Sequence, residues 1–151
     1  MERVRAEPTT ERGVARLVLL TAREQRAWFE RRFAAFGLTM QQAGVLARCG
    51  VFAEVSPARI AGFLGTDTAA MTRLIDQLEE RGLVTRKPHP RDRRSILLEP
   101  TPPGRALLPR LRRIFMQAER TFLSGFTSSE AEQLRALLAR MIENARPEHE
   151  T

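Results

Sequence analysis

The stretch LGTDTAAMTRLIDQLEERGLVTR, residues 64–86, decides the fold of this chain. Its large apolar side chains recur at i, i+3, i+4 and i+7, the spacing of one face of an α-helix: Met71, Leu74, Ile75 and Leu78. We expect this helix to begin near Asp67 or Thr68 and to end at Gly82. If the apolar face is buried, the residues on the opposite side face away from the core.

A second short helix is predicted just before it. Ser56 is a favoured N-cap residue, and Pro57 follows at the first helical position. A short apolar face then runs to a stop at Gly65: Ile60, Ala61, Phe63 and Leu64. Two short helices joined by a tight turn that contains a small residue form a helix–turn–helix.

The spacing of the apolar residues changes after Gly82. Residues 83–87 and 95–99 are strand-like, and the intervening residues 88–94 are rich in proline and charge. This pattern predicts a β-hairpin with a basic tip, called a wing. The predicted fold is therefore mainly α, with a winged helix–turn–helix lobe over residues 39–100.

Longer helices flank this lobe. Residues 13–36 carry apolar side chains at helical spacing before Gly37: Leu17, Leu20, Trp28, Phe29, Phe33 and Phe36. Thr39 and Gln42 form a capping-box pattern for the next helix, whose expected buried residues are Val45, Leu46 and either Val51 or Phe52.

Two more helices are predicted after the wing. Thr101-Pro102 opens the first of them, and after a break at Gly125, Ser129 and Glu132 predict a capping box for the last. We expect residues 1–10 to form a flexible tail and residues 11–38 and 101–146 to form a helical dimerisation region. The large apolar residues of these helices exceed what a three-helix winged lobe can cover, which favours a homodimer over a monomer with folded-back helices.

The charge of the chain suggests a polyanionic partner. The formal net charge is +7, and Lys87 is the only lysine among 25 basic residues. Arginine forms paired hydrogen bonds with phosphates and guanine edges, so this bias suits nucleic acid, although an arginine-preferring genome would produce it too. The outward side of the 68–81 helix carries Thr68, Ala69, Thr72, Arg73 and Asp76. It would offer the major groove small residues, hydroxyls and one arginine near its start. The alternative is an ordinary solvated helix face.

The wing strengthens the prediction of DNA binding. It places five cations within nine residues: Arg86, Lys87, Arg91, Arg93 and Arg94. A basic hairpin tip can follow phosphates or insert an arginine into the minor groove. Asp92 would lower the affinity if it faced DNA, so we expect it to hold the loop by pairing with a neighbouring arginine such as Arg94.

These residues resemble the MarR-type transcriptional regulators. The similarity lies in residues 64–86, in Pro90-Arg91-Asp92-Arg93-Arg94 and in Thr101-Pro102-Pro103-Gly104, which match the family's patterns L-E-x-x-G-L-V-x-R, D-x-R and L-T-x-x-G. Pro100 departs from the last pattern, where the family has leucine, and is expected to shorten the second wing strand. The resemblance implies a homodimer with intertwined terminal helices that binds double-stranded DNA at a pseudo-palindromic operator.

By position, the resemblance also assigns roles to single residues. It implies that Thr72 and Arg73 face the groove, that Arg86 contacts the DNA backbone, and that Arg94 is the wing arginine with Asp92 as its buttress. Ser56, Thr68, Ala69, Arg91 and Arg93 complete the predicted DNA-binding set.

The family often acts as a repressor that a small aromatic or phenolic effector relieves. In this chain the candidate ligand-binding residues are Trp28, Phe29, Arg32 and Phe52, although aromatic residues at helical spacing also suit plain core packing. Cys49 does not occupy the position of the family's reactive cysteines near the start of the first helix, so we expect an inert buried thiol.

Other classes of protein are disfavoured. No nucleophile elbow, phosphate loop or zinc-binding His-Glu-x-x-His helix occurs, which argues against an enzyme, a cofactor and a metal site. The sequence has no signal peptide or membrane span, so a cytoplasmic protein is expected. A winged-helix protein-interaction module that does not bind DNA is the alternative, but such a protein would be expected to lose the wing arginines.

Overall fold

The computed structural model describes residues 13–52 and 55–145, apart from the side chain of Arg93. The predicted tail over residues 1–10 lies outside these ranges. The described residues form six α-helices and one hairpin, which confirms the mainly α class with a wing: α1 (Val14–Phe33), α2 (Met40–Val51), α3 (Pro57–Leu64), α4 (Thr68–Glu80), β1 (Val84–His89), β2 (Asp92–Pro100), α5 (Pro102–Phe122) and α6 (Ser128–Ala145). The chain divides into two compact units after Met116, inside α5.

The core of the first unit is built around α4. All four apolar residues of the predicted stripe are buried, with exposed fractions of 8% or less: Met71, Leu74, Ile75 and Leu78. Helix α4 packs against α2, α3 and strand β1 of the wing, whose buried residues include Leu46, Ile60 and Val84. Each such side chain contributes about 1.5–3 kcal/mol when removed from water, so the orientation of α4 about its own axis is strongly determined.

Helix α1 ends as the sequence predicts. Its last turn tightens into a 3₁₀ turn at Ala34–Phe36, and Gly37 follows in the left-handed conformation with φ of 63°. Phe29 stacks on Phe33 with ring centroids 5.5 Å apart, and both rings contact Phe115 at 5.4 Å. Leu17, in contrast, is 52% exposed, so the apolar face of α1 is buried only towards its C-terminus.

The helix–turn–helix begins with the predicted cap. The Ser56 hydroxyl accepts the backbone N–H of Arg59 at 3.3 Å, Pro57 is the first helical residue, and Gly65 ends α3 with φ of 61°. Of the short apolar face, Ile60 and Ala61 are buried, whereas the Phe63 ring is 49% exposed and stacks on Phe52. Of the two residues expected as alternatives on the buried side at the end of α2, Phe52 is half-buried and Val51 is exposed.

The wing is longer than the sequence predicts. Its strands extend to His89 and from Asp92, so that Pro90 and Arg91 alone form the turn, and the register shifts between Pro88 and His89. The expectation that Pro100 shortens the second strand is wrong. Pro100 pairs with Val84 as the last residue of β2, where the missing N–H leaves the strand pairing intact.

Capping boxes start two helices, one of them at an unexpected place. Thr39 and Gln42 form the predicted box of α2. The predicted box of α6 at Ser129 and Glu132 is wrong. Instead, Thr127 accepts the N–H of Glu130 at 3.2 Å, and the Glu130 carboxylate accepts the N–H of Thr127 at 2.8 Å. Because this capping box lies two residues earlier, α6 begins earlier than predicted. Glu132, which was expected in the box, forms an ion pair with Arg135 instead.

Close backbone packing joins the base of the wing to α5. The Leu83 carbonyl accepts the N–H of Thr101 at 3.1 Å, while the Thr101 hydroxyl accepts the N–H of Gly104 at 3.2 Å. A Cβ on Gly104 would lie 2.0 Å from the Leu83 carbonyl oxygen. Only glycine therefore allows α5 to approach the wing this closely.

We predict that Gly104→Ala lowers the free energy of unfolding by roughly 1–3 kcal/mol, because backbone must move to admit the methyl group. Gly62→Ala is the matched control, since no atom lies within 4 Å of the added Cβ. That helical substitution should raise stability by about 0.5–1 kcal/mol. Urea denaturation followed by circular dichroism measures both, and equal effects of the two variants would contradict the proposed close approach.

Candidate nucleic-acid interface

The outward side of α4 is open, as its buried stripe requires. Thr68, Ala69, Thr72 and Arg73 are all exposed at the N-terminal half of the helix. The Asp67 carboxylate caps this end by accepting the N–H of Ala70 at 2.7 Å. Within the described part of the chain, no hydrogen bond or ion pair engages the guanidinium of Arg73.

The Thr72 hydroxyl is oriented by its own helix. It donates its proton to the Thr68 carbonyl at 2.9 Å. The oxygen lone pairs remain, so towards a ligand this exposed group acts as an acceptor. Ser56 uses its hydroxyl as the cap of α3 and is half-buried, so it lies at the N-terminus of the first helix of the helix–turn–helix.

Asp92 holds the tip of the wing through the backbone of Arg94 rather than through the Arg94 side chain. Its carboxylate accepts the backbone N–H of Arg94 at 3.0 Å and the hydroxyl of Ser95 at 2.5 Å. These two bonds, the Ser95 bond foremost, lower the pKa of Asp92 below its ordinary value. The prediction of an Asp92–Arg94 ion pair is wrong because nearer donors satisfy the carboxylate.

The cations of the wing fall into two groups. In the part of the chain that the structure describes, nothing pairs with the exposed guanidinium of Arg94. Arg91 is exposed in the turn but does not belong to the unpaired cations. Arg93 belongs to β2, but the prediction for its side chain lies outside the described residues. By contrast, Lys87 contacts Glu99 at 2.6 Å and Arg86 is held by carboxylates of α4.

Arg86 has three polar links to α4. Its backbone N–H donates to Glu79 Oε1 at 3.0 Å, and its guanidinium donates to Glu79 Oε2 and, at 2.6 Å, to Asp76 Oδ1. Partial burial lowers the pKa of Arg86, but the hydrogen bond with Asp76 and the charges of both carboxylates outweigh this and raise it. The expected contact of Arg86 with the DNA backbone remains a prediction, and Glu79 is a wing anchor that the sequence reasoning missed.

Two further polar links orient the C-terminal half of α4. The Gln42 amide donates to Gln77 at 2.9 Å, and the Arg81 guanidinium donates to the carbonyl oxygens of Phe36 at 2.9 Å and Gly37 at 2.5 Å. The sequence reasoning did not identify these partners, which lie 35 to 45 residues apart along the chain. Together they tie α4 to the segment that follows α1.

The residues predicted to bind an effector have core-like surroundings. Trp28 and Phe29 are buried, and the Arg32 guanidinium lies 3.4 Å from the centroid of the Trp28 ring. Phe52 instead stacks on Phe63 beneath Arg59. The effector site therefore stays a prediction. In residues 13–52 and 55–145, no group of three or more His, Cys, Asp or Glu side chains could hold a metal ion.

A buried helix stripe, an open recognition face and a basic hairpin beside it define the winged helix–turn–helix class. Residues 38–96 match the MarR family. The chain is 34% identical over 112 residues to the HTH-type transcriptional regulator PecS of Dickeya dadantii, an alignment that covers 72% of this chain and 68% of PecS. The chain therefore belongs to the MarR family of transcriptional regulators, which confirms the resemblance and the prediction of a regulator rather than an enzyme.

Solved structures show the same fold. The crystal structure of the S. aureus MepR–DNA complex has a TM-score of 0.81 at 23% identity and covers 89% of this chain and 99% of that one. A MarR family regulator from Listeria monocytogenes, complexed with 26mer DNA, has a TM-score of 0.80 at 26% identity and covers 88% of this chain and 89% of that one. None of the described helices is both long and apolar enough to cross a membrane.

Cys49 lies in α2 with only 3% of its surface exposed. Burial raises the pKa of its thiol from 9.0 to about 12. Because the thiolate is the reactive form, this site matches the inert thiol expected from the sequence.

We predict that Cys49 reacts with a disulfide reagent at pH 8 at least about a hundredfold more slowly in the folded chain than in urea, since both the access and the thiolate fraction are low. Cys49 is the only cysteine, so the absorbance of the released thiol reports on this site alone. Similar rates in the two states would show that the thiol is accessible.

Proposed function

We propose that this chain binds operator DNA as a homodimer, with α4 in the major groove and the wing along the adjacent backbone and minor groove. The observation that carries this proposal is the exposed N-terminal half of α4, held outward by the buried stripe on its other side. A helix presented in this way enters the major groove with its first turns against the base edges.

The chemistry of the exposed face suits base recognition. Thr68 and Ala69 are short and allow a close approach. The Arg73 guanidinium, which has no partner among the described residues, can donate two hydrogen bonds to a guanine. The Thr72 oxygen can accept from the amino group of a cytosine or an adenine, because its own proton is already bound to the Thr68 carbonyl.

The tip of the wing supplies the backbone and minor-groove contacts. Arg94 extends next to a turn that Asp92 closes, and Arg91 and Arg93 lie on either side of Asp92 along the chain. An arginine in the narrow minor groove benefits from its negative potential. Ser56, at the start of α3, is proposed as a contact to a phosphate.

The homodimer is supported by apolar surface that each unit leaves open. In the second unit one side of α6 exposes 37–59% of each of four large apolar residues: Leu137, Leu138, Met141 and Ile142. In the first unit α1 exposes Val14, Leu17 and Leu19. A two-fold dimer that covers such surfaces would bind a pseudo-palindromic operator with half-sites about one helical turn apart. Repression, relieved by a small ligand, rests on the family resemblance alone.

The test of DNA binding uses a duplex that the wild-type chain selects from a random-sequence library. Arg94→Ala should weaken binding to that duplex by roughly 1–3 kcal/mol without lowering the thermal stability, because it removes a charged groove contact. Arg112→Ala, an exposed arginine of α5, is the control and should have little effect. Failure to select any duplex would favour the alternative of a protein-interaction module, and equal losses in both variants would exclude a specific role of the wing.

The homodimer is tested on α6. We predict that the wild-type chain sediments with twice the mass of one chain and that Leu137→Glu shifts it towards the monomer, because a buried unpaired charge costs several kcal/mol. Ala136→Glu places the same charge on the opposite side of α6 and should leave the dimer intact. Analytical ultracentrifugation measures the masses. A monomeric wild-type chain, or a dimer that tolerates Leu137→Glu, would refute this interface.

A further inference from the structure

The recognition helix carries two acidic residues close to its proposed DNA-binding face. Asp76 lies one turn beyond Thr72 and Arg73, and its side chain is 58% exposed. Glu79 follows at the next turn with 30% of its side chain exposed. Close to a duplex, each of these carboxylates would be repelled by phosphates unless a cation neutralised it.

Arg86 is the cation that offsets part of their charge. Its guanidinium reaches both carboxylates, and 29% of its side chain is exposed. Two carboxylates against one guanidinium leave a net charge of −1, whereas loss of the guanidinium would leave −2 beside the phosphates. The charge of a guanidinium that is already paired with two carboxylates is compensated, so its attraction for a phosphate is weaker than that of an unpaired arginine.

The same contacts set the position of the wing. Glu79 accepts both the main-chain N–H and the guanidinium of Arg86, so it fixes the first residues of β1 against α4. These bonds determine how far the wing tip lies from the reading face of the helix. Two DNA-binding elements that touch different grooves must keep this spacing to bind one duplex together.

We infer that Arg86 is a positioning residue of the DNA-binding site, which offsets part of the charge of Asp76 and Glu79 and locks the wing to α4 rather than contacting the DNA backbone. This inference rests on the proposed DNA binding. It differs from the role that the family resemblance implies for Arg86, which is a direct contact with the DNA backbone.

The test is a double-mutant cycle with the duplex selected by the wild-type chain. R86A is measured in the wild-type background and in the D76N/E79Q background, whose amides keep the shape and an acceptor oxygen but remove the negative charges. We expect R86A to raise the Kd roughly tenfold in the wild-type background and less than about threefold in the D76N/E79Q background. Fluorescence anisotropy at one fixed salt concentration gives the four dissociation constants.

If Arg86 instead contacts the DNA backbone directly, the double-mutant cycle should give a different result. Arg86 released from its carboxylates would bind a phosphate at least as well, so R86A would cost the same or more in the D76N/E79Q background. That result would overturn the inference while leaving the proposed DNA binding intact. If the wild-type chain selects no duplex, the proposed function fails, and the inference fails with it.

Folding of each variant is checked by circular dichroism, and R86Q replaces R86A throughout the cycle if R86A does not fold. A matched control is R94A in both backgrounds. Arg94 has no contact with Asp76 or Glu79 among the described residues. Its effect on the Kd should therefore be the same in the two backgrounds. If R94A couples to D76N/E79Q as strongly as R86A does, the inference is overturned, because the coupling would then reflect the overall charge alone.

Discussion

Burial of one face of α4 is the constraint on which the rest of the structure depends. A helix of 13 residues is too short to be stable alone, so it forms because Met71, Ile75 and their neighbours pack against α2, α3 and the wing. That packing leaves a single rotation of the helix about its axis. The polar residues on the other side are then exposed as a group, so the functional face is a consequence of the core.

Apolar packing determines the rotation of α4, and polar links determine where its ends lie. Arg81 binds the C-terminal end of α4 to the segment between α1 and α2, and Gln77 binds Gln42 of α2. Glu79 and Asp76 hold Arg86 at the start of the wing. The recognition helix is therefore connected on one side to the end of α1 and on the other side to the hairpin.

The sequence predicts the elements of this structure better than their contacts. The caps at Thr39 and Ser56 are local, because donor and acceptor lie three residues apart and one conformation satisfies both. The capping box of α6 is hard to place because residues 127–132, TSSEAE, contain two overlapping capping-box patterns. Only the position at which the helix starts distinguishes them. The apolar face of α3 does not reveal that Phe63 is half exposed, with Phe52 as its stacking partner at the surface.

The partners of the charged residues were the least predictable part. Composition establishes that the chain is basic, and spacing establishes that five cations lie in the wing, but neither indicates which carboxylates they meet. In the structure the cations at the base of the hairpin, Arg86 and Lys87, have acidic partners, whereas Arg94 at the tip has none among the described residues. The charge that remains for a polyanion therefore lies at the end of the wing farthest from the core. A net charge of +7 attracts DNA from any direction, but an unpaired arginine on a hairpin held at fixed spacing from α4 can select one orientation.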